Sequence, residues 1–364
     1  MKLDITSETE GAMQGGAGEA VSGAPARGED ILAVVPALNE VDHIETCIRS
    51  LLEGEERLKA VRLAVADGGS QDGTQAVVRK LMDEFPNLEL VDNPLRLQSA
   101  GVNRAVRMRG EGRTILVRCD AHSIYPPNFI LKVADALVSR GVASIVTPMD
   151  AIGRTCFQRA NAFIVDTPLG SGGSAHRGGR VSGFVDHGHH AGFDLNKFLE
   201  VDGYDETFSH NEDAEFDRRL AKAGGRIFLD ANIRLSYFPR ATVASLARQY
   251  FNYGKGRARN VMKHGDMPRP RQLIPPMALI ACVLGLLGSL VTPWTLIAPL
   301  GYLGVLALAS VAVAIKMKSP CGLLAGLASG VMHMSWSAGF LLQLARGKGR
   351  TTPATANGSV ASGS

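Results

Sequence analysis

The sequence lacks three features, each of which would place the chain in a familiar class. Its 39 basic residues nearly balance its 35 acidic residues, and the formal net charge of +4 is too small for binding nucleic acid over the whole surface. Residues 1–29 have no apolar core segment, so no secretory signal is predicted and this Gly/Ala/Glu-rich leader is expected to be disordered.

Regular cysteine spacing is the third missing feature. Five cysteines occur without the short spacing of metal sites or disulfide frameworks, at positions 47, 119, 156, 282 and 321. Two of them lie in strongly apolar stretches. We therefore predict reduced, structural thiols and a catalytic part that faces the cytosol.

Long apolar runs are present near the carboxyl end, at 273–291, 294–315 and 321–344. Each is close to the roughly 20 residues of a membrane helix, so we predict a membrane region at 273–345 and a disordered tail at 346–364. A buried hydrophobic hairpin is the soluble alternative. Three crossings would separate the basic tail from Arg269 and Arg271, against the positive-inside tendency, so the orientation stays open.

The region 30–240 alternates short apolar runs with amphipathic segments. Strands are predicted at 31–36, 61–66, 88–91 and 114–119. Their spacing predicts an α/β domain with a mostly parallel sheet and helices on both faces. Asp67 and Asp120 follow two of these strands, so we expect them at one sheet edge, where open α/β sheets bind ligands.

The motif Asp120-Ala121-His122 places a carboxylate and an imidazole two residues apart at that edge. Together they could hold one divalent cation, and such a cation could carry a diphosphate. The alternative is an ordinary loop acid that caps the next helix. The motif alone does not decide between these interpretations.

An ordered series of motifs resembles the nucleotide-sugar half of inverting family 2 glycosyltransferases, and in particular the subgroup that includes the succinoglycan-biosynthesis glucosyltransferases. The resemblance covers about residues 31 to 275. Its motifs lie at 36–40 (PALNE), 67–74 (DGGSQDGT), 93–94 (NP), 98–103 (QSAGVN), 120–122 (DAH), 168–174 (PLGSGGS), 211–216 (NEDAEF) and 249–254 (QYFNYG).

This resemblance implies a GT-A-type domain that binds a UDP-sugar. Pro36 and Glu40, with Asp67, would hold the uridine. Asp120 and His122 would occupy the place of the family's metal-binding Asp-x-Asp motif, with a histidine as the second ligand. Because Mn²⁺ accepts imidazole better than Mg²⁺ does, Mn²⁺ is the sharper expectation of the two divalent metals.

Asp213 is the expected catalytic base. It lies near the start of a predicted helix, where the helix dipole favours an ionised carboxylate. Inverting sugar transfer needs one base to accept the proton of the acceptor hydroxyl, and no separate acid is required if a metal neutralises the diphosphate. The resemblance assigns that base to Asp213, whereas the residues alone leave helix capping by Glu212 or Asp213 as an equal alternative.

Three histidines lie close together between these motifs, at His187, His189 and His190. Such a cluster suggests a metal site, and one member could complete the shell of the cation. No further ligand cluster accompanies it, and the resemblance carries no role for it. We favour a loop that faces the acceptor or responds to pH.

A basic segment at 241–272 precedes the membrane region. Its cations are Arg248, Lys255, Arg257, Arg259, Lys263, Arg269 and Arg271. They could bind anionic headgroups, or some of them could bind phosphate through the arginine fork, and both interpretations can hold together. The resemblance of 249–257 implies that Gln249 and Arg257 bind the donor, with Arg257 as the candidate for contact with its diphosphate. Gly256 replaces the aromatic residue that the family pattern would place there.

The resulting hypothesis is a membrane-anchored inverting glycosyltransferase of exopolysaccharide biosynthesis. It would transfer a hexose, with glucose expected, from a UDP-sugar to a lipid-linked oligosaccharide at the cytoplasmic face of the inner membrane. One alternative transfers the sugar to a polyprenyl phosphate. Another is a non-catalytic nucleotide-sugar-binding subunit of a polysaccharide export system. A dinucleotide-binding oxidoreductase is disfavoured because 68–73 lacks the Gly-x-Gly-x-x-Gly pattern.

Overall fold

The computed structural model describes residues 24–172, 179–265 and 267–347. Most of the predicted leader 1–29 and of the predicted tail 346–364 lies outside these ranges, as do residues 173 and 174 of the motif at 168–174. Within the described ranges the chain forms ten β-strands and twelve α-helices.

The strands supply a central sheet and a small second sheet. They are β1 (Ile31–Ala37), β2 (Arg62–Asp67), β3 (Leu88–Asp92), β4 (Ile115–Arg118), β5 (Ser144–Thr147), β6 (Met149–Ala151), β7 (Gly183–Val185), β8 (His189–Asp194), β9 (Ile227–Leu229) and β10 (Leu235–Tyr237).

The helices fall into a group around the sheet and a carboxyl-terminal group that begins with α9. They are α1 (Ile44–Leu52), α2 (Thr74–Glu84), α3 (Gln98–Arg109), α4 (Phe129–Arg140), α5 (Cys156–Val165), α6 (Pro168–Ser171), α7 (Leu195–Glu200), α8 (Glu212–Lys222), α9 (Val243–His264), α10 (Pro270–Gly288), α11 (Ile297–Met317) and α12 (Ala325–Arg346).

The central sheet has the strand order β3-β2-β1-β4-β8-β5-β9-β7. Strands β1 to β4 are parallel, as the alternating strand and helix pattern predicted. Strand β8 enters the middle of the sheet antiparallel to both β4 and β5. The sheet is therefore mixed, and the insertion of β8 brings the histidine segment beside β4, the strand that precedes Asp120.

Both faces of the sheet are covered, as the α/β prediction requires. Side chains alternate along β1, so that Ile31, Ala33 and Val35 join the apolar cluster on one face and Leu32 and Val34 join the cluster on the other. Because both clusters are buried, every β1 side chain from 31 to 35 is apolar and the run shows no polar alternation.

Aromatic rings dominate the second cluster. Four rings have centroids 5.2 to 6.1 Å apart: Phe193 on β8, Phe198 on α7, Phe216 on α8, and Tyr204 between α7 and α8. Aromatic pairs at such separations add to the free energy gained by burying their area. This packing fixes α8 against the sheet, and α8 carries Asp213 in its first turn.

The carboxyl-terminal helices include two that are long and apolar enough to cross a bilayer, at Pro270–Gly288 and Pro293–Met317. Only 17% of the apolar stretch of the first and 22% of that of the second are buried within the chain, so the buried-hairpin alternative does not describe these two helices. The third predicted run forms most of α12. Among the described helices α12 is not a candidate span, and it packs along α9 instead.

Glycine permits the close approach of α9 and α12. A Cβ atom on Gly254 of α9 would lie 2.0 Å from the carbonyl oxygen of Trp336, and one on Gly339 of α12 would lie 2.0 Å from that of Phe251. Small residues that let two helix backbones approach are a common device in membrane-associated helices. The helix that follows the catalytic region is thereby joined to the last helix of the chain.

A disulfide between Cys156 and Cys321 corrects the prediction that all five thiols are reduced, and it removes the thiol argument for a catalytic part that faces the cytosol. It connects α5 to the segment between α11 and α12. The two cysteines are 165 residues apart in sequence, so their pairing leaves no spacing signal. Cys47, Cys119 and Cys282 are free, as predicted, and the first two are buried.

The aromatic cluster gives a direct test of the core. Phe198 is 1% exposed, and Phe198→Ala should lower the free energy of unfolding by about 3–5 kcal/mol because it leaves a cavity among the other rings. The neighbouring Leu199 is 51% exposed, and Leu199→Ala should change the same quantity by less than about 0.5 kcal/mol. Denaturant unfolding of the full chain in detergent measures both. Similar losses would contradict the assigned packing.

Candidate active site

A cavity of 1830 Å³ lies at the carboxyl ends of β1 and β4 and extends to α9, α10 and α12. Seven of the eight side chains predicted for the donor, metal and base sites line it: Pro36, Glu40, Asp120, His122, Asp213, Gln249 and Arg257. The structure thus brings together residues from both ends of the catalytic region. This cavity is the candidate active site.

Asp67, the eighth predicted residue, does not line the cavity. Its side chain is 1% exposed, and its Oδ1 atom accepts hydrogen bonds from the backbone N–H groups of Gly69 and Ser70, both at 2.9 Å. The Ser70 hydroxyl in turn accepts the N–H of Asn39 at 2.8 Å. The Asp67 carboxylate therefore orders the loop that closes over the end of β1.

Asp120 and Asp213 meet through Arg118, a residue that no sequence motif indicated. Arg118 Nη1 donates to Asp213 Oδ1 at 2.7 Å, and Nη2 lies 3.4 Å from Asp120 Oδ1. The arginine side chain is 5% exposed. One buried cation between two carboxylates stabilises the charged form of both.

The pKa values of the two acids follow from this arrangement. Burial opposes ionisation of Asp213, but Arg118 and His190 outweigh burial and hold its pKa well below the usual range. Burial also opposes ionisation of Asp120, but Arg118, His189 and His122 outweigh it and lower the pKa. Both side chains are carboxylates at neutral pH, the form required of a base and of a metal ligand.

The carboxylate of Asp213 does not cap α8. Its partners among the described residues are the Arg118 guanidinium and the His190 ring, whose Nδ1 is 3.2 Å away. The N-cap position belongs to Asn211, which has a positive φ of 68° and makes no side-chain capping bond. For Asp213, helix capping is therefore not what the described residues show.

The three clustered histidines have different environments. His190 is buried, with Nδ1 at 2.7 Å from the Tyr204 hydroxyl and Nε2 at 2.7 Å from Asp217 Oδ1. His187 binds the other oxygen of Asp217 at 2.6 Å. Burial alone would lower the pKa of His190, but Asp217 and Asp213 raise it to about 10. His190 is a buried cation that supports Asp213, which sequence spacing could not reveal.

His189 points to the other side, where its Nε2 atom lies 3.5 Å from Asp120 Oδ2. His122 is 57% exposed, and its Nδ1 atom lies 3.2 Å from Glu40 Oε1. Both rings line the cavity. One carboxylate flanked by two imidazoles is a donor set that suits Mn²⁺.

This donor set is incomplete by itself, because no group of three acid, histidine or cysteine side chains within the described ranges has metal-binding geometry. A cation at Asp120 would need further oxygen ligands, which phosphate groups and water supply in many sites of this kind. The residues present therefore fit a metal that binds together with a diphosphate.

Glu212 provides a test of this electrostatic arrangement. Burial and the charge of Asp213 raise its pKa from 4.5 to about 7, so the folded chain binds this proton more tightly than the unfolded chain. The stability that the neutral form contributes is complete below about pH 4.5 and is lost as the pH rises through about 7.

Glu212→Gln keeps the side chain neutral. We expect its effect on the free energy of unfolding to be more stabilising at about pH 8 than at about pH 5, by about 2 kcal/mol. Denaturant unfolding at the two pH values measures the difference. Glu200→Gln, at a half-exposed ion pair with Lys197, is the control and should show no such difference. An equal effect of Glu212→Gln at both values would mean that this carboxyl does not titrate in the window.

Known proteins are similar to this chain in sequence and in fold. The model of glycosyl transferase family 2 matches residues 32–197. The succinoglycan biosynthesis protein ExoA of Rhizobium meliloti (strain 1021) is 44% identical over 314 residues, which cover 86% of this chain and 94% of that protein. A dolichyl N-acetyl-alpha-D-glucosaminyl phosphate 3-beta-D-2,3-diacetamido-2,3-dideoxy-beta-D-glucuronosyltransferase of Methanococcus voltae is 24% identical over 64% of this chain and 74% of its own length.

Among solved structures, the mannosyltransferase PcManGT from Pyrobaculum calidifontis, in complex with GDP-Man and Mn²⁺, superposes with a TM-score of 0.54. The identity is 20%, and the superposition covers 89% of this chain and 90% of that one. This likeness supports a GT-A-type fold. With the high identity over most of its length to the Rhizobium protein, the chain therefore belongs to glycosyltransferase family 2.

Proposed function

We propose that the chain is an inverting transferase that moves a hexose, with glucose expected, from a UDP-sugar to a lipid-linked oligosaccharide in exopolysaccharide biosynthesis. The observation that carries this proposal is the pairing of Asp120 and Asp213 through Arg118 on one wall of a cavity that also reaches the apolar helices. The name of the Rhizobium relative supports the exopolysaccharide setting.

In this proposal the donor binds at the end of β1. Pro36 and Glu40 line the cavity there and would contact the uridine, while Asp67 holds the adjoining loop in place. Asp120, with His122 or His189, would hold a divalent metal, Mn²⁺ or Mg²⁺. When bound, that metal would neutralise charge on the leaving diphosphate. Mn²⁺ is favoured because the solved mannosyltransferase contains it.

Asp213 would accept the proton of the acceptor hydroxyl. Its ion pair with Arg118 keeps it charged and oriented, but the same ion pair makes it a weak base. Proton transfer is therefore expected late: as the bond from the anomeric carbon to the diphosphate breaks, the acceptor oxygen bonds to that carbon, and this new bond makes its proton acidic enough for Asp213 to accept. The acceptor would approach from the side of α9 and α12, where Gln249 and Arg257 line the cavity.

We further propose that the catalytic domain (30–240) and the juxtamembrane segment (241–272) face the cytoplasm at the inner membrane, with 273–345 as the membrane segment. Two crossings return the chain to the side of the catalytic domain. Arg269, Arg271, Lys316 and Lys318 then share one side, whereas the connection at 289–296 carries no charged residue. This distribution agrees with the positive-inside tendency.

Asp213→Asn tests the catalytic role. Loss of the base should lower sugar transfer by about 10²–10⁴-fold while UDP-sugar binding stays within about twofold. Transfer is measured with labelled UDP-sugars and a lipid extract, and binding is measured by calorimetry on the full chain. Asp202→Asn is the control, since Asp202 is exposed and its φ of 61° is one that asparagine tolerates.

Unchanged transfer by Asp213→Asn, with intact donor binding, would favour a base elsewhere. If neither variant nor parent transferred sugar while both bound UDP-sugar, the non-catalytic export subunit would be the correct alternative. Transfer to a glycan-free polyprenyl phosphate, and not to a lipid-linked sugar, would support the polyprenyl-phosphate transferase.

Asp120→Asn tests the metal site. UDP binding in Mn²⁺ should weaken by about tenfold or more, because a metal ligand is lost, whereas binding in EDTA should not change. Asp92→Asn, at an exposed position on the end of β3, is the matched control. Calorimetry with UDP measures each constant. Equal weakening in Mn²⁺ and in EDTA would show that Asp120 acts without a cation.

A further inference from the structure

The structure separates the cations of the basic segment into groups. Arg259 and Lys263 face the catalytic domain: Arg259 donates to the Thr207 carbonyl at 2.9 Å, and Lys263 Nζ lies 2.6 Å from Glu215. Both cations also lie over the ring of Phe208. These two residues anchor α9 to the domain.

A second group consists of Arg257, Arg269 and Arg271, which line the cavity. Arg269 is held by Asp186 at 2.7 Å, and Arg271 donates to the carbonyl of Gly172 at 2.7 Å. Within the described ranges no carboxylate forms an ion pair with Arg257. Burial and the like charges of Arg269 and Arg271 lower the pKa of Arg257.

The three guanidinium groups line the same cavity, and the charges of Arg269 and Arg271 act unfavourably on that of Arg257. A bound anion relieves this repulsion, and a phosphate matches the donor fork of arginine. Nothing in the protein supplies that anion to Arg257 within the described ranges. The arginine cluster is therefore built for a phosphate group.

The wall beside this arginine cluster is apolar. Ile274 on α10 and Met332 and Trp336 on α12 line the same cavity. Ile274 is 65% exposed and Met267 is 87% exposed, so the mouth of the cavity lies at the start of a candidate membrane span. A ligand with an apolar chain could leave the cavity here directly into lipid, with no exposure of its chain to water.

We propose that Arg257, Arg269 and Arg271 bind the phosphate of a lipid acceptor, a phosphate or diphosphate ester of a long apolar alcohol whose chain passes Ile274 and Met267 into the bilayer. This inference rests on the proposed function and deepens it. It replaces the predicted contact of Arg257 with the donor diphosphate, because the metal-binding candidates lie around Asp120 and the apolar exit lies beside the arginines.

Trp336 makes the site observable. The chain has two tryptophans, and Trp294 is 77% exposed, so Trp294→Phe leaves Trp336 as the reporter. The full chain in discs of neutral phosphatidylcholine is titrated with farnesyl diphosphate, farnesol and inorganic diphosphate. A saturable change in fluorescence is expected with farnesyl diphosphate. The same change in fluorescence should require a much higher concentration of farnesol or of inorganic diphosphate.

Arg257→Gln should raise the dissociation constant of farnesyl diphosphate about tenfold, which corresponds to about 1.4 kcal/mol. Arg248→Gln is the matched control, since Arg248 is an exposed arginine of the same helix, and it should change the constant less than about twofold. Arg269→Gln provides a second variant of the cluster on a half-exposed side chain, should Arg257→Gln fold poorly.

Three results would overturn the inference. Farnesol could bind as tightly as its diphosphate. Phosphatidylglycerol in the discs could displace farnesyl diphosphate, which would make the arginine cluster a general headgroup site. Arg257→Gln could weaken UDP binding and leave farnesyl diphosphate binding unchanged, which would return Arg257 to the donor.

The assay separates this inference from the proposed function because it needs no turnover. Arginine-dependent binding of farnesyl diphosphate, without any sugar transfer by the parent chain, would support the lipid-phosphate site and contradict the transferase. Sugar transfer to lipid by the parent chain, with lipid binding insensitive to Arg257→Gln, would contradict the site alone.

Discussion

The active-site cavity depends on the Arg118 guanidinium, which lies between Asp120 and Asp213. Two carboxylates this close would repel each other in a buried setting, and one of them would bind a proton. The arginine keeps both ionised, and they in turn provide the partners without which a buried guanidinium would be strongly destabilising. The metal candidate and the base candidate thus form one electrostatic unit, which connects β4 to α8.

Two further buried groups, His190 and Asp217, extend this electrostatic unit into the core. His190 lies between Asp213 and Asp217. Its Nδ1 atom faces Asp213 and also meets the Tyr204 hydroxyl in the aromatic cluster, and its Nε2 atom meets Asp217. This extension is possible because β8 runs antiparallel through the centre of the sheet and presents one histidine to each side. His189 faces the cavity and Asp120, while His190 faces the core. Adjacent strand residues point to opposite faces, so His189 contacts Asp120 and its neighbour His190 contacts Asp213.

The carboxyl-terminal helices belong to the same site. Helix α12 packs along α9 through Gly254 and Gly339, and the Cys156–Cys321 disulfide joins its amino-terminal side to α5. Trp336 and Arg257 therefore line the same cavity as the residues at the end of β1. A polar donor and an acceptor with an apolar chain could therefore reach the same space from opposite ends.

The sequence by itself determined the elements and much of the cavity. Unbroken apolar runs gave the buried parallel strands, and carboxylates at the strand ends were expected at one sheet edge because parallel strands share a direction. The ordered motifs indicated the family. Only the tertiary structure decided that Arg118 meets Asp213, that His190 lies in the core, that α12 lies along α9 and that Cys156 pairs with Cys321. Each of these depends on contacts between elements distant in sequence, and local periodicity carries no information about which distant side chains will meet.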